Sequence, residues 1–389
     1  GTIQVIEPKL RRTGKTTDTG ALTAPSDVLD ALIGEDEEGT PIPLELGGWS
    51  LEEPARIRIN WWSPTGIFVA EDEKLTKQRK EEARKKDPTA NGVTEPLRDP
   101  SVPWDEAQLL IPGTSIRGTL RSRASRIART VLAARDELSK FASHDLHEQI
   151  AAEPNLVRYM FGSTEYRGAI TVHDCLSTER GKRIEVTHNA IDRWTGGVID
   201  GGLFTEAVYL GTEWEPITID IDLRQLLSNI EAEKGEAKSK PKEAEKQETE
   251  QDDQKDSQQR EHVYAPYARA AYVLLGLVLA ELSAGTLPLG SRSTRGLGQV
   301  VVSTIKVRGS TWDGVAIPER KLDGGKALEH PGTAASSPTQ DRYDAQRALA
   351  GDVLGYLKKV KGATDWSEHL ENGPGAARTP SKETGTADD

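Results

Sequence analysis

The order of its periodic segments is the feature that most constrains how this 389-residue chain can fold. Residues 55–62 alternate polar and apolar side chains as a half-buried strand does, and residues 115–138 carry apolar side chains at helical spacing after a Pro-Gly-Thr start. Further strand patterns lie at 168–172, 203–210, 215–221 and 299–307, and a second apolar helix pattern lies at 266–284. Strand, helix, strands, helix, strand is the order of a split βαβ unit. The sequence therefore predicts an α+β, ferredoxin-like core with inserted loops.

Three polar stretches interrupt or end this pattern. Residues 72–91 are dense in charge without an apolar period, which indicates a solvated loop or a frayed helix. Residues 231–262 lack Phe, Tyr and Trp, and this composition predicts disorder, as does the Gly-, Pro- and acid-rich tail at 363–389. The expected organisation is an N-terminal extension at 1–49, a core domain at 50–310 that contains the two insertions, and a C-terminal extension at 311–362 with one helix.

Composition excludes several classes of protein. With Cys175 as its single cysteine, the chain has neither a disulfide framework nor a four-cysteine zinc site, and it suits a reducing compartment. The most apolar run is interrupted by Arg269 and Glu281, so the sequence predicts no membrane span. We therefore expect a cytoplasmic protein without a membrane partner, and the sequence gives no firm metal-ligand set.

A net charge of -12 argues against a simple basic nucleic-acid binder, but the charge is unevenly distributed. Residues 26–53 hold nine acidic and no basic residues, whereas residues 111–135 hold six arginines and no acid. The acidity thus belongs to segments outside the periodic core, and the overall charge does not exclude RNA binding by that core.

The first segment with binding chemistry is 111–123, which begins with a Pro-Gly turn. After this turn Ser115 can cap a helix whose free N–H groups suit a phosphate, and Arg117, Arg121 and Arg123 add positive charge along the first turns. The alternative is an ordinary capped helix with a solvated basic side.

The second such segment is the glycine-rich stretch 287–298. Gly290 and its neighbouring glycines allow close backbone approach, while Arg292 and Arg295 supply phosphate donors. The spacing is not that of a Walker A loop, and the stretch precedes a strand instead of opening a helix as a dinucleotide-binding loop does. The alternative is a flexible connection between a helix and a strand.

The third segment, 187–204, suits a protruding hairpin. It contains His188, and Arg193 with Trp194 could stack on an unpaired base. The alternative is that Trp194 packs into the core, as most tryptophans do.

In this order the three segments resemble the RAMP superfamily of CRISPR-associated RNA-binding proteins, and more closely the repeated backbone subunit of type III effector complexes. The resemblance is carried by 111–121, 191–204 and 290–298 and extends over about 50–310. It implies a ferredoxin-like (RRM-like) core that holds guide (CRISPR) RNA by its backbone. It also implies an antiviral complex in which such subunits assemble side by side on this RNA, receive complementary target RNA, and insert a thumb hairpin, here 183–204, between bases. Guide binding without sequence preference relies on phosphate contacts, so we expect a steep salt dependence. The expected phosphate contacts are Ser115, Arg117, Arg121, Gly290, Arg292 and Arg295.

The resemblance also implies target-RNA cleavage, because some family members use an aspartate and a divalent cation, here expected to be Mg²⁺, in a loop before the Pro-Gly turn. At the matching position this sequence has Thr94, so Glu95 and Asp99 are the candidate catalytic carboxylates. One alternative is a catalytically inactive structural subunit. Another is a metal-independent endoribonuclease that processes guide RNA, with His188 as general base.

Overall fold

The computed structural model describes residues 54–86, 92–104, 106–135, 145, 153–235, 250–312, 315–317, 319–331, 340–360 and 365–371. All of them belong to one compact unit, Glu53–Asp389. The expected N-terminal extension at 1–49 lies outside the described residues.

The elements alternate between strands and helices as the sequence indicates. The strands are β1 Ala55–Ser63, β2 Val93–Thr94, β3 Leu110–Ile111, β4 Ile170–Val172, β5 Cys175–Glu179, β6 Lys182–Ile191, β7 Val198–Leu210, β8 Thr212–Trp214, β9 Ile217–Ile221, β10 Val301–Arg308, β11 Ser310–Trp312, β12 Val315–Ile317 and β13 Arg320–Asp323. The helices are α1 Glu73–Lys86, α2 Gly113–Ala134, α3 Asn155–Phe161, α4 Leu223–Gly235, α5 Glu250–Ser283 and α6 Gln340–Leu357, with 3-10 turns at Ser293–Arg295, Lys326–Leu328 and Trp366–His369.

The central sheet has the topology that the element order predicts. Strand β1 pairs antiparallel with β10 on one side and with β9 on the other, and β9 pairs antiparallel with β4. Helix α2 connects β1 to β4, and α5 connects β9 to β10, so the arrangement is a double split βαβ unit. The ferredoxin-like α+β prediction is confirmed, and β13, β8, β5 and β3 extend this sheet.

The core lies between the sheet and the two long helices. On β1 the apolar set Ile57, Ile59 and Trp61 is buried, as its alternation predicts. Helix α2 buries one stripe, which comprises Ile116, Leu120, Ala124, Ala128 and Leu132. Residues Ala265–Ser283 of α5 are long and apolar enough to span a membrane by length and composition, but 72% of that window is buried inside the fold, as in a core helix.

The polar stretches contain more structure than their composition suggests. Residues 73–86 form α1, and the expected disorder at 231–262 is wrong at both ends, where α4 continues to Gly235 and α5 begins at Glu250. Glu, Lys, Gln and Ala are strong helix formers, so a helix anchored by a buried segment can continue through a polar one. Residues 236–249 lie outside the described part of the chain.

The predicted disordered tail at 363–389 is also structured over 365–371. Leu370 is fully buried, its carbonyl accepts a hydrogen bond from the Leu156 N–H at 3.1 Å, and the Glu371 carbonyl accepts one from Asn155. An apolar anchor within a polar segment is enough to attach it to the core. The helix expected in the C-terminal extension is α6, and residues 372–389 lie outside the described range.

Candidate nucleic-acid interface

An open cleft of about 760 Å³ separates α2 from the glycine-rich loop at 287–298. Small, hydroxyl-bearing and basic side chains line it, and those on α2 follow helical spacing. The α2 side contributes Ser115, Gly118, Thr119, Ser122, Arg123 and Arg126, and the opposite side contributes Phe68, Val69, Ala70, Thr286, Leu287, Pro288, Gly290, Ser291 and Ser293. Ser115 and Gly290, both expected to contact phosphates, line this one cleft; Arg126, which is exposed on the same face of α2, was not among the predicted residues.

The loop is held against the segment that follows β1. The Ser291 N–H and hydroxyl both donate to the Phe68 carbonyl, at 2.8 and 2.9 Å, and the Gly298 N–H donates to the Gly66 carbonyl at 2.8 Å. Gly290 has φ +76, and a Cβ there would lie 2.8 Å from the Phe68 carbonyl oxygen. Glycine is therefore required at this point by both backbone conformation and space. The alternative of a loose flexible connection is wrong.

One buried carboxylate joins this loop to the hairpin. Glu206 of β7 is 1% exposed, and its Oε1 accepts from Arg292 Nε at 2.9 Å. Its other oxygen lies 3.4 Å from both Arg295 Nη1 and His188 Nε2. Three of the four arginines and histidines predicted to bind RNA in the loop and hairpin, His188, Arg292 and Arg295, thus lie beside this one acid.

Two aromatic rings complete this cluster. The Arg292 guanidinium lies 5.5 Å from the Phe68 ring centroid, and that of Arg295 lies 5.1 Å from the Phe204 ring. The rings of His188 and Phe204, which face each other across β6 and β7, are 5.2 Å apart. Stacked guanidinium planes lose little freedom on binding an anion, which makes this cluster a preformed cationic surface.

The hairpin of β6 and β7 spans 182–210 and includes the predicted thumb at 183–204. Near its tip the Trp194 side chain is 96% exposed and Arg193 is also exposed, and the backbone N–H of Trp194 donates to the Asp192 carboxylate. The alternative that Trp194 packs into the core is wrong. Large apolar side chains of the two strands are exposed as well, namely Ile191, Val198, Ile199 and Leu203.

The beginning of α2 differs from the sequence expectation. The helix begins at Gly113 after Pro112, so Ser115 lies inside the first turn and does not cap it. The Gly113 N–H donates to the Asp174 carboxylate at 2.6 Å, and a Cβ on Gly113 would lie 2.1 Å from the Val172 carbonyl oxygen. An acid of the chain therefore already accepts the first N–H of this helix, and its negative charge opposes the binding of a phosphate there.

The three predicted arginines of α2 face different surroundings. Arg117 donates to the carbonyls of Phe161 and Ile170, and burial, together with the charge of Arg121, lowers its pKa. Arg121 lies in a bidentate pair with Glu153, whereas Arg123 pairs with Glu281.

Of these three arginines, Arg123 lines the cleft, whereas Arg117 and Arg121 are absent from its lining in the described part of the chain. Arg117 and Arg121 lie on the i, i+4 face that attaches α2 to the neighbouring elements, which accounts for their absence from the lining.

The two candidate catalytic carboxylates are not assembled into a metal site. Glu95 is 13% exposed, and its oxygens contact Arg183 Nη2 at 2.7 Å, Arg98 Nη2 at 3.5 Å and the Tyr209 hydroxyl at 3.3 Å. Asp99 is partly exposed, and hydrogen bonds from the Ser101 N–H and hydroxyl lower its pKa.

Within the described part of the chain, three potential metal-ligating side chains come together at Glu179, Glu213 and His330, and this group contains neither candidate. Two arginines around Glu95 oppose a divalent cation there.

Comparison with protein families agrees with this geometry. A family model for the RAMP superfamily matches residues 109–301, which include α2, the hairpin and the glycine-rich loop. The chain belongs to the RAMP superfamily, and this membership indicates a CRISPR-associated, RNA-binding role. Among curated proteins, no match to the chain was found.

Proposed function

We propose that this protein is a guide-RNA-binding backbone subunit of a type III CRISPR effector complex. In this role it acts in the cytoplasm, assembles with other RAMP subunits, and holds guide RNA together with complementary target RNA for antiviral defence. The observation that carries the proposal is the cleft between α2 and the glycine-rich loop, whose hydroxyl, glycine and arginine lining suits a sugar-phosphate backbone.

The lining explains why binding would be independent of sequence. Hydroxyls such as those of Ser115, Ser122 and Ser293 and the guanidinium of Arg126 are donors for phosphate oxygens, which every nucleotide presents alike. Bases would instead meet the exposed hairpin, where Trp194 offers a stacking surface that accepts any base.

The surroundings of the two carboxylates favour holding RNA over cutting it. Glu95 is neutralised by Arg183 and Arg98, and Asp99 does not belong to the group of three potential metal-ligating side chains found among the described residues. We therefore propose the catalytically inactive structural subunit, with metal-dependent cleavage as the competing function.

Binding can be tested with the purified full chain and a fluorescently labelled single-stranded RNA of mixed sequence. We expect binding that weakens as salt rises and that changes little when the sequence is scrambled. Arg126→Ala should weaken binding and reduce the salt slope by about 1, whereas Arg347→Ala, on α6 and outside the cleft lining, should do neither. Equal effects of the two substitutions would contradict the assignment of the cleft.

Cleavage can be tested with the reconstituted complex and a labelled target RNA in Mg²⁺. We expect the cleavage pattern to be unchanged by Asp99→Ala and Glu95→Gln. Loss of one cut in either variant, with guide binding retained, would instead establish the cleaving function. Cleavage of precursor guide RNA in EDTA would support the metal-independent alternative.

A further inference from the structure

A buried acid in the middle of a polyanion-binding surface is unexpected from electrostatics alone. Glu206 is 1% exposed and lies beside Arg292, Arg295 and His188, where its charge opposes the approach of RNA phosphates. A neutral residue at this position would leave a more positive surface. The carboxylate therefore needs a physical reason that outweighs this repulsion.

The contacts of Glu206 provide that reason. Arg292 uses Nε and Nη2 toward Oε1, and Arg295 uses Nη1 toward Oε2, while the two side chains remain 37% and 38% exposed. A guanidinium has more N–H donors than these contacts use. Each arginine is thus fixed on its inner side and keeps other donors for a ligand.

The backbone of the loop supports the same conclusion. Arg292 has φ 67, and it is the one non-glycine residue with positive φ in the described part of the chain. A residue with a Cβ occupies this region against its preference, so contacts must hold it there. The bonds to Glu206, together with the Ser291 contacts to Phe68, are such contacts.

We propose that Glu206 is a positioning residue for RNA binding, which orients Arg292 and Arg295 before the phosphates arrive. The inference rests on the proposed function, because the oriented groups are useful only if RNA binds at this surface. The proposal predicts the direction in which RNA affinity changes when the charge of Glu206 is removed. Removing this negative charge should weaken RNA binding, although simple electrostatics requires the opposite.

The test measures RNA affinity and its salt slope for Glu206→Gln, which removes the charge at nearly constant size. We expect affinity for the labelled single-stranded RNA to fall about tenfold, and the salt slope to decrease by about 1 to 2 as oriented phosphate contacts are lost. Asp352→Asn is the control, since Asp352 is an exposed acid on α6 outside the cleft lining and the hairpin, and it should leave affinity unchanged or slightly higher.

A second set of variants separates positioning from folding. Arg292→Lys keeps the charge but cannot form the same two-point contact with Glu206, so it should also weaken binding. Arg292→Ala should have a smaller effect in the Glu206→Gln background than in the wild type, because the two residues act as a unit. If Glu206→Gln does not fold, the affinity of Arg292→Lys for RNA tests the positioning role instead. Wild-type affinity in Arg292→Lys would then overturn the proposal.

The outcomes distinguish this inference from the proposed function. If the wild-type chain does not bind RNA, the proposed function fails and this inference fails with it. If the wild type binds while Glu206→Gln binds equally well or more tightly, the positioning role is refuted and the RNA-binding function stands. Weaker binding with a reduced salt slope and an unchanged melting temperature supports it.

Discussion

Gly118 is the residue at which stability and RNA binding should oppose each other. It lies in the interior of α2, is exposed, and lines the cleft. A Cβ built at this position finds no atom within 4 Å, so packing in the described structure does not require glycine. A glycine in a helix interior costs about 0.8–1.0 kcal/mol relative to alanine. The proposed reason for this cost is close approach of the RNA backbone to α2.

The perturbation is a pair of substitutions, Gly118→Ala and Gly118→Trp. Alanine should raise the free energy of unfolding by about 0.8–1 kcal/mol, which corresponds to a rise of about 1–2 °C in the melting temperature of a unit as long as Glu53–Asp389. Tryptophan should fill the cleft and reduce RNA affinity severalfold or more, although the helix remains intact. Thermal melting and fluorescence anisotropy with single-stranded RNA measure the two effects.

Gly351 provides the matched control. It lies inside α6, is exposed, and also finds no atom within 4 Å of an added Cβ, but it does not line the cleft. Gly351→Ala should therefore give the same stabilisation, and Gly351→Trp should leave RNA affinity unchanged. Wild-type RNA binding by Gly118→Trp would refute the assignment of this cleft. A stabilising Gly351→Ala beside a destabilising Gly118→Ala would refute the helix-propensity argument.

Two further predictions concern the hairpin and the sheet. Trp194→Ala should leave the melting temperature unchanged, because the side chain is 96% exposed. It should weaken RNA binding by about 1–3 kcal/mol through the loss of base stacking. A lower melting temperature would contradict the exposed position of this side chain. For Asp220, burial opposes ionisation, but the hydrogen bonds from Arg56 and His173 outweigh it and lower the pKa. Its stabilising contribution is therefore present above the unfolded value near about 3.9 and is lost as pH falls through the lower folded value. Urea unfolding between neutral and acidic pH should show a smaller acid loss in Asp220→Asn than in the wild type, and equal losses would contradict the argument.

The local parts of the fold could be predicted because their signals are local. The alternation of Ile57, Ile59 and Trp61 in β1 and the helical spacing in α2 depend on neighbours within a few residues. The hairpin and the glycine-rich loop were predicted on the same basis, and Gly290 is needed where its sequence context suggests a sharp turn.

The partners of the site residues could not be predicted in this way. Glu206 meets Arg292 across 86 positions of sequence, and Asp174 reaches the Gly113 N–H across 61. Both contacts depend on how strands and helices meet in three dimensions, and no periodicity records them. An acid within a strand pattern is ordinarily solvent-exposed, so Glu206 carried no signal of its buried position.

The structure also changes the expected salt dependence of RNA binding. Six arginines in 111–135 suggest a steep dependence, but Arg117, Arg121 and Arg123 are engaged with carbonyls or acids of the chain.

A cation already paired with a carboxylate contributes less to counterion release than a free one. Of the predicted and cleft-lining arginines outside the hairpin tip, those that remain for phosphates are Arg126 in the cleft and Arg292 and Arg295, whose two positive charges share the single carboxylate of Glu206. Three phosphate contacts on a single strand give a salt slope of about 2, and six contacts give a slope of about 4. The measured slope therefore shows whether three arginines bind phosphates, as the structure indicates, or six, as the count of arginines in the sequence suggests. A slope near the higher value would mean that RNA displaces the internal acids, which would make the pairs with Glu153 and Glu281 part of the binding surface.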